Sequence, residues 1–145
     1  MPELIHDFRR AHAFLSNFYI YPFIYLTTEY PTAEHAWQAA QCADFVEKLS
    51  IVSAKTPLIA QRLGAKTRKK PQWEHEALET MQQIIEAKFQ PGTSISQKLI
   101  NTDDAIIAFH NRHRDRYLGI WQGKGANYLG RFLMIRRRQL LKGAK

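Results

Sequence analysis

An α+β domain, mainly helical and with a small β-sheet, is what this sequence predicts. Three observations predict it. The stretch Phe18 to Leu26 has a side-chain period of two, several later stretches have helical spacing bracketed by helix start and stop residues, and a short apolar run at Ala105 to Phe109 reads as a buried strand. The 145 residues, 45% hydrophobic, suit one compact body with a real core, so residues 1–145 are read as a single domain. No internal repeat, low-complexity tract or Pro/Gly-rich linker divides them.

In chain order, Phe18, Ile20, Ile24 and Leu26 fall on one side of an extended segment and Tyr19, Tyr21, Phe23 and Tyr25 on the other. Pro22 interrupts it, which predicts an edge strand or a bulged hairpin. Thr32 is an N-cap for an alanine-rich helix with Ala33, Ala36, Trp37 and Ala40 near one face. A shorter helix is expected from Thr56 and Pro57 to Gly64, since proline suits the first helical position and glycine the stop. Trp73, Ala77, Met81, Ile84 and Ile85 have the spacing of an amphipathic helix running to Phe89. Ser94 to Asn101 is a further short helix. The loop Gly123 to Asn127 leads into a last helix with Leu129, Phe132, Leu133, Ile135 and Leu140 as its apolar positions.

Charge is unevenly placed. The chain has 21 Lys and Arg against 13 Asp and Glu, a formal +8, but residues 1–60 carry four basic and six acidic groups while residues 61–145 carry 17 and seven. The basic clusters are Lys66 with Arg68, Lys69 and Lys70, then Arg112, Arg114 and Arg116, then Arg136, Arg137 and Arg138 with Lys142 and Lys145 behind. Such a field attracts phosphates, whether on nucleic acid or on a small molecule, or is simply a solvated basic surface. One cysteine, Cys42, cannot form an intramolecular disulfide, and no apolar run nears the roughly 18 to 20 residues of a membrane span. With no signal-like start at Met1 to Asp7, a cytoplasmic location without membrane partners is the expectation.

Few residues are placed for chemistry. There is no cysteine pair and no His-x-x-x-His or HExxH spacing, so no metal site is expected. Gly123-x-Gly125 is neither a dinucleotide fingerprint nor a Walker loop. It reads as a glycine-rich turn or as a generic anion site at a helix N-terminus. Lys88, seven residues after Met81, falls on the apolar face of its helix, where it either snorkels to solvent or meets an anion in a pocket. Glu34 shares a face with Gln38 and Gln41, and Asp115 follows three alternating basic positions before Tyr117 and Trp121. His35 is expected to be structural.

Several stretches taken together resemble the NADAR family, also called YbiA-like. They are Phe14-Leu-Ser-Asn-Phe-Tyr19, Tyr30-Pro-Thr-Ala-Glu-His-Ala-Trp-Gln-Ala-Ala40, Pro71-x-Trp73, Met81 followed by Lys88-Phe89, and Gly125-Ala-Asn-Tyr-Leu-Gly130 followed by Leu133-Met134-x-Arg136. Order and spacing match from about Phe8 to Leu140, nearly the whole chain. The resemblance implies a small α+β domain with N-glycosidase activity, cleaving the bond between ribose C1 and a base nitrogen. The substrates it implies are ribosylaminopyrimidine phosphates of riboflavin synthesis or ADP-ribose on guanine, free or in nucleic acid. Breaking that bond passes through an oxocarbenium-like sugar, for which a carboxylate stabilises charge or activates water. By resemblance Glu34 takes that role, with Asp115 as second carboxylate. Phe18, Trp73 and Trp121 would stack the base, Lys88, Arg136 and Arg9 would neutralise phosphate, and Asn17 and Asn127 would hydrogen-bond base or sugar. No cofactor is implied.

The chain also departs from the family pattern. Gln41 stands where relatives carry Lys, Phe109 where they carry Glu, and Leu118 where they carry Trp. These changes remove a cation and an acceptor. They point to a shifted substrate, such as a bulkier nucleotide packed against Phe109, or to a binding-only descendant. A non-catalytic nucleotide or ADP-ribose module is therefore the alternative to an enzyme, and a nucleic-acid-binding protein using the basic half is a third reading.

Overall fold

The computed structural model describes residues 1–143, so Lys145 of the last basic cluster lies outside the described residues. The elements are β1 (Leu4–Ile5), a 3-10 helix (Arg10–Leu15), β2 (Phe23–Tyr25), β3 (Thr28–Tyr30), α1 (Ala33–Gln41), α2 (Phe45–Val52), α3 (Pro57–Ala65), α4 (Trp73–Lys88), α5 (Ser94–Ile100), β4 (Ile106–Ile107) and α6 (Tyr128–Gly143). They form two compact units, one of residues Asn17–Lys88 and one of Met1–Ser16 with the chain from Phe89 onward.

In the unit Asn17–Lys88, α1 packs against α2, α3 and α4. Its alanines explain how: Ala33, Ala36 and Ala39 are wholly buried, and their small side chains let three helices approach one. Thr32 caps α1 as expected, its hydroxyl accepting from the backbone N–H of His35 at 3.1 Å. The His35 ring is buried, with Nδ1 2.7 Å from the Thr32 hydroxyl and Nε2 2.9 Å from the Ala54 carbonyl. Since a carbonyl only accepts, Nε2 carries the proton, and His35 is structural as the sequence suggests.

The extended stretch is shorter than its alternation implies. Pro22 has no N–H to give a ladder, so β2 begins only at Phe23 and pairs with β3 through a two-residue turn. Leu26 and Thr27 both have positive φ, 47° and 71°, as a tight hairpin of this twist requires. Phe23, Tyr25 and Tyr30 face inward, while Ile20, Ile24 and Leu26 are exposed. The outward face is thus the aliphatic one.

Helix α2 is not foreseen in the sequence. Asp44 caps it, but Phe45, Val46 and Leu49 point to solvent and only Ile51 is fully buried, so no inward apolar stripe announces it. Helix α3 starts on Thr56 and Pro57 as expected but runs one residue past Gly64. Gly64 is not a stop signal. A Cβ there would overlap the side-chain amide of Gln38, so this glycine is what lets α3 close on α1.

In the other unit, β1 and β4 pair in parallel, Leu4 with Ile106 and Ile5 with Ile107. The expected strand Ala105–Phe109 shrinks to these two residues, and its partner is too short to read from sequence. Helix α6 packs on α5 and β4. Gly130 permits this, because a Cβ would overlap the Ile107 carbonyl. Ile135, expected inside, is exposed, and its place in the core stripe goes to Arg137, which is buried. Arg137 donates from Nη1 to the Thr102 hydroxyl at 2.8 Å and from Nη2 to the Ala105 carbonyl at 2.9 Å. Among the described residues no helix is long and apolar enough to cross a membrane.

Candidate active site

Glu34 lies in the first turn of α1 and is 5% exposed. A buried carboxylate is costly unless hydrogen-bonded, and this one has donors. Gln38, one turn on, donates from Nε2 to Glu34 Oε1 at 2.8 Å. Gln61 of α3 donates to the same oxygen at 3.5 Å. The helix N-terminus adds favourable partial charge. The face shared by Glu34 and Gln38 was legible in the sequence. Gln61 was missed, because nothing in the spacing says which residue of α3 would meet α1.

The segment before β2 is tied to this turn. The Glu34 backbone N–H donates to the Asn17 carbonyl at 2.9 Å. The Asn17 side chain is 6% exposed and its Nδ2 rests 3.9 Å from the Met81 sulfur on α4. Asn17 Oδ1 is buried with no hydrogen-bond partner. Native structures seldom leave such an acceptor unpaired, and an unpaired one is a natural place for a donor from a ligand.

Lys88 closes this region at the other end of α4. It does not snorkel to solvent, one of its two expected fates: it is 1% exposed, and Nζ lies 5.9 Å from the centre of the Tyr19 ring. Loss of water around the ammonium pushes its pKa from 10.5 down to about 7. Asn17 and Tyr19 therefore connect one short segment to Glu34 on α1 and to Met81 and Lys88 on α4. Phe18, between them, is 37% exposed.

Trp73 begins α4, about 12 Å of helix before the level of Met81. Its ring packs edge-on against Trp37 at 4.9 Å. Gln41 is buried on α1, and its carbonyl accepts from the Lys70 N–H at 2.9 Å.

The remaining expected residues belong to the other unit, and several have structural duties there. Asp115 Oδ1 accepts from the backbone N–H groups of Tyr117 and Leu118, both at 2.9 Å, so this carboxylate oxygen caps a turn. Asn127, with φ 54°, accepts from the Phe109 N–H at 2.9 Å and donates to the Ile107 carbonyl at 3.0 Å. Its amide thus makes one bond at each end, tying the β4 segment to the start of α6. The Trp121 ring carries the guanidinium groups of Arg116 and Arg114, at 4.6 and 5.6 Å. Arg136 donates from Nε to the Phe89 carbonyl and from Nη1 to Gln139 Oε1, each at 2.9 Å. Arg9 is exposed and paired with Asp7 at 2.7 Å. Leu118 is core, and Phe109 stacks on Phe8 with ring centres 5.2 Å apart. No group of three or more His, Cys, Asp or Glu is placed to hold a metal among the described residues.

Comparison with known proteins bears on this arrangement. The model of the NADAR domain matches residues 6–141, across both units. N-glycosidase YbiA of Escherichia coli (strain K12) is 33% identical over 129 residues, covering 86% of this chain and 79% of that protein. Riboflavin biosynthesis protein VVA0006 of Vibrio vulnificus (strain YJ016) is 32% identical over 149 residues, which cover 99% of this chain but only 40% of that protein. The NMR structure of the E. coli protein YbiA superposes with a TM-score of 0.85 at 28% identity, covering 99% of this chain and 89% of that one.

Proposed function

The chain belongs to the NADAR domain family, and from that premise we propose that it is an N-glycosidase acting on a phosphorylated ribosyl compound. The substrate classes are those the resemblance implies, a ribosylaminopyrimidine phosphate or ADP-ribosyl guanine, the latter free or carried on nucleic acid. A relative named for N-glycosidase activity at 33% identity supports the reaction type. Within the molecule, the observation that carries the reading is the buried Glu34 carboxylate with its Oε1 held by Gln38.

The chemistry asks little more. As the bond between ribose C1 and the base nitrogen breaks, its electron pair leaves with the base and positive charge grows on the sugar. Glu34 stabilises that charge and takes a proton from the water that adds to C1, while the base nitrogen gains a proton. The products are the free base and the sugar still carrying its phosphate, with one water consumed. Gln38 keeps the carboxylate aimed, which matters because misplacement by about 1 Å can cost 100-fold in rate. Asn17 Oδ1 accepts from a ribose hydroxyl, and this would satisfy the buried acceptor. Lys88, with its pKa near 7, meets a phosphate as a cation or supplies the proton to the leaving base.

The test is incubation of the purified chain with a ribosylaminopyrimidine phosphate, ADP-ribose, NAD and ADP-ribosylated guanosine or DNA, following released base by chromatography. Release from one substrate, lost in Glu34→Gln, is the expected result. Equal release by Glu34→Gln would remove Glu34 from the mechanism.

A second reading, a nucleotide-binding module without turnover, is favoured by the turn-capping role of Asp115. Tight binding of one panel member with no release from any would select it.

A further inference from the structure

Helix α2 turns its apolar side chains outward. Phe45, Val46 and Leu49 are 70%, 68% and 50% exposed, while the charged Glu47 and Lys48 beside them are half-buried and Ile51 alone on this helix is wholly inside. A helix on the surface of a fold ordinarily gives its apolar stripe to the core and its charges to water. The spacing i, i+4, i+7 puts Phe45, Leu49 and the half-buried Val52 on one line along α2, with Val46 beside it. Two more exposed aliphatics, Leu58 and Ile59, open α3, which packs on α2.

Phe45, Val46, Leu49, Leu58 and Ile59 together expose roughly 400 Å² of apolar surface, taking about 200 Å² for a whole phenylalanine and about 100 to 150 Å² for an aliphatic side chain. A standard protein interface buries about 800 Å² on each side, and about 65% of a homodimer interface is apolar. These five side chains therefore supply most of the roughly 500 Å² of apolar surface that one side of such a dimer needs. Ser50, Ser53, Lys55 and Arg62, all exposed on or beside the same two helices, supply a polar rim.

Charge selects the occupant. The chain carries a formal +8, which sets copies of it against one another. Between residues 43 and 60, however, the charges are Asp44, Glu47, Lys48 and Lys55, and these cancel. Two copies can meet here without net repulsion. The signs are also ordered, since exposed Asp44 caps the start of α2 and exposed Lys55 lies three residues past its last residue, Val52. When two α2 helices cross antiparallel about a two-fold axis, each Asp44 faces the end that carries the other's Lys55, and the helix dipoles oppose. A partner charged with one sign would match only one end.

We propose that the outer face of α2, extended by Leu58 and Ile59, is a homodimer interface on which a second copy of this chain packs its α2 antiparallel. Leu49, at the middle of the line, then lies near the axis and meets its own counterpart, while Phe45 packs toward Val52 of the copy. Such reciprocal contacts are what an isologous interface requires. An interface of this modest apolar area gives a dimer that dissociates in the micromolar range.

Sedimentation velocity of the full chain between about 1 and 300 µM, at physiological salt, reads the association directly. Monomer at the low end and dimer at the high end is the expected result. Phe45→Ser and Leu49→Ser should each raise the dissociation constant at least about tenfold. Because both side chains face water in the monomer, neither should lower the melting temperature of the dilute chain. Lys55→Glu brings like charges together and should weaken the dimer, less so in high salt. Mild oxidation of Leu49→Cys should link two chains, whereas Ile24→Cys, exposed on β2, should not; the natural Cys42 is buried. The proposal is overturned if the chain stays monomeric to about 300 µM, if Phe45→Ser and Leu49→Ser dimerise like the natural chain, or if Ile24→Cys links as readily as Leu49→Cys. A chain that stays monomeric yet floats with vesicles of phosphatidylcholine and phosphatidylserine, and no longer does so as Phe45→Ser, also overturns it and gives the face to a membrane surface.

Discussion

Replacing Lys88 by methionine tests stability and function against each other. The amine is fully buried, and its pKa falls from 10.5 to about 7 through lost hydration. That fall corresponds to about 5 kcal/mol favouring the neutral form in the folded chain. Below about pH 7 the folded and unfolded chains both hold the proton, and the full penalty weighs on folding. Between about pH 7 and the unfolded value of 10.5 the unfolded chain still binds the proton and the folded one does not, so stability rises with pH by about 1.4 kcal/mol per unit. Above that range the penalty is gone. Methionine fills a similar volume without a charge. Relative to Lys88→Met, the natural chain should therefore gain about 3 kcal/mol of stability between about pH 7 and pH 10. Urea denaturation of both chains at about pH 7, 8.5 and 10 measures it, and groups common to both cancel in the difference. The same variant should lose glycosidase activity. A difference in stability between the two chains that does not change with pH would refute the reasoning.

Three further outcomes are expected. Gly64→Ala forces the flexible Gln38 side chain aside, so folding stability should change by less than about 1 kcal/mol, while kcat falls at least about tenfold as Glu34 loses its shorter bond, the one from Gln38; kinetics beside a thermal melt would separate the two, and unchanged kcat would dismiss Gln38 as the positioning group. Arg137→Met leaves the buried Ala105 carbonyl without its donor and should cost about 2 to 3 kcal/mol in urea unfolding, with KM for any substrate unaltered. Asn127→Ala removes two backbone clips at a position of positive φ, and a loss of about 2 to 4 kcal/mol should appear as a lower melting temperature, whereas an effect confined to KM would restore Asn127 to the substrate.

What was legible in the sequence depended on how local its cause was. Helices announced by their own caps, Thr32 for α1 and Thr56 with Pro57 for α3, are where they were expected. Lys88 was placed on an apolar face by counting seven residues from Met81, and it is buried there. Features with a distant cause were not legible. Arg137 displaces Ile135 from the core because Thr102 and Ala105 wait to receive it. Gly64 imitates a stop signal because Gln38, twenty-six positions earlier, needs its missing Cβ. Strand β1 has two residues and no pattern to read. Asp115 and Asn127 matched family positions, yet the sequence could not tell that an Asp oxygen was capping a turn or that both ends of an amide were already bonded.

The violations of local rules are therefore informative by where they fall. A sequence optimised only to fold would not bury an ammonium, a carboxylate and an unpaired amide oxygen in one small unit. Lys88, Glu34 and Asn17 do so, and one short segment ties them together: the Asn17 carbonyl holds the first turn of α1, its side chain rests on Met81, and Tyr19 lies under Lys88. By contrast with Asn17 Oδ1, which has no partner, the buried His35 and Arg137 side chains have their bonds within the fold. An orphaned buried acceptor is where a binding partner would restore a hydrogen bond, and the Asn17 backbone holds the first turn of α1, where Glu34 is buried. That neighbourhood separates Glu34 from the other carboxylates more firmly than charge or spacing does, and it directs the first substitution to Glu34 and the second to Asn17.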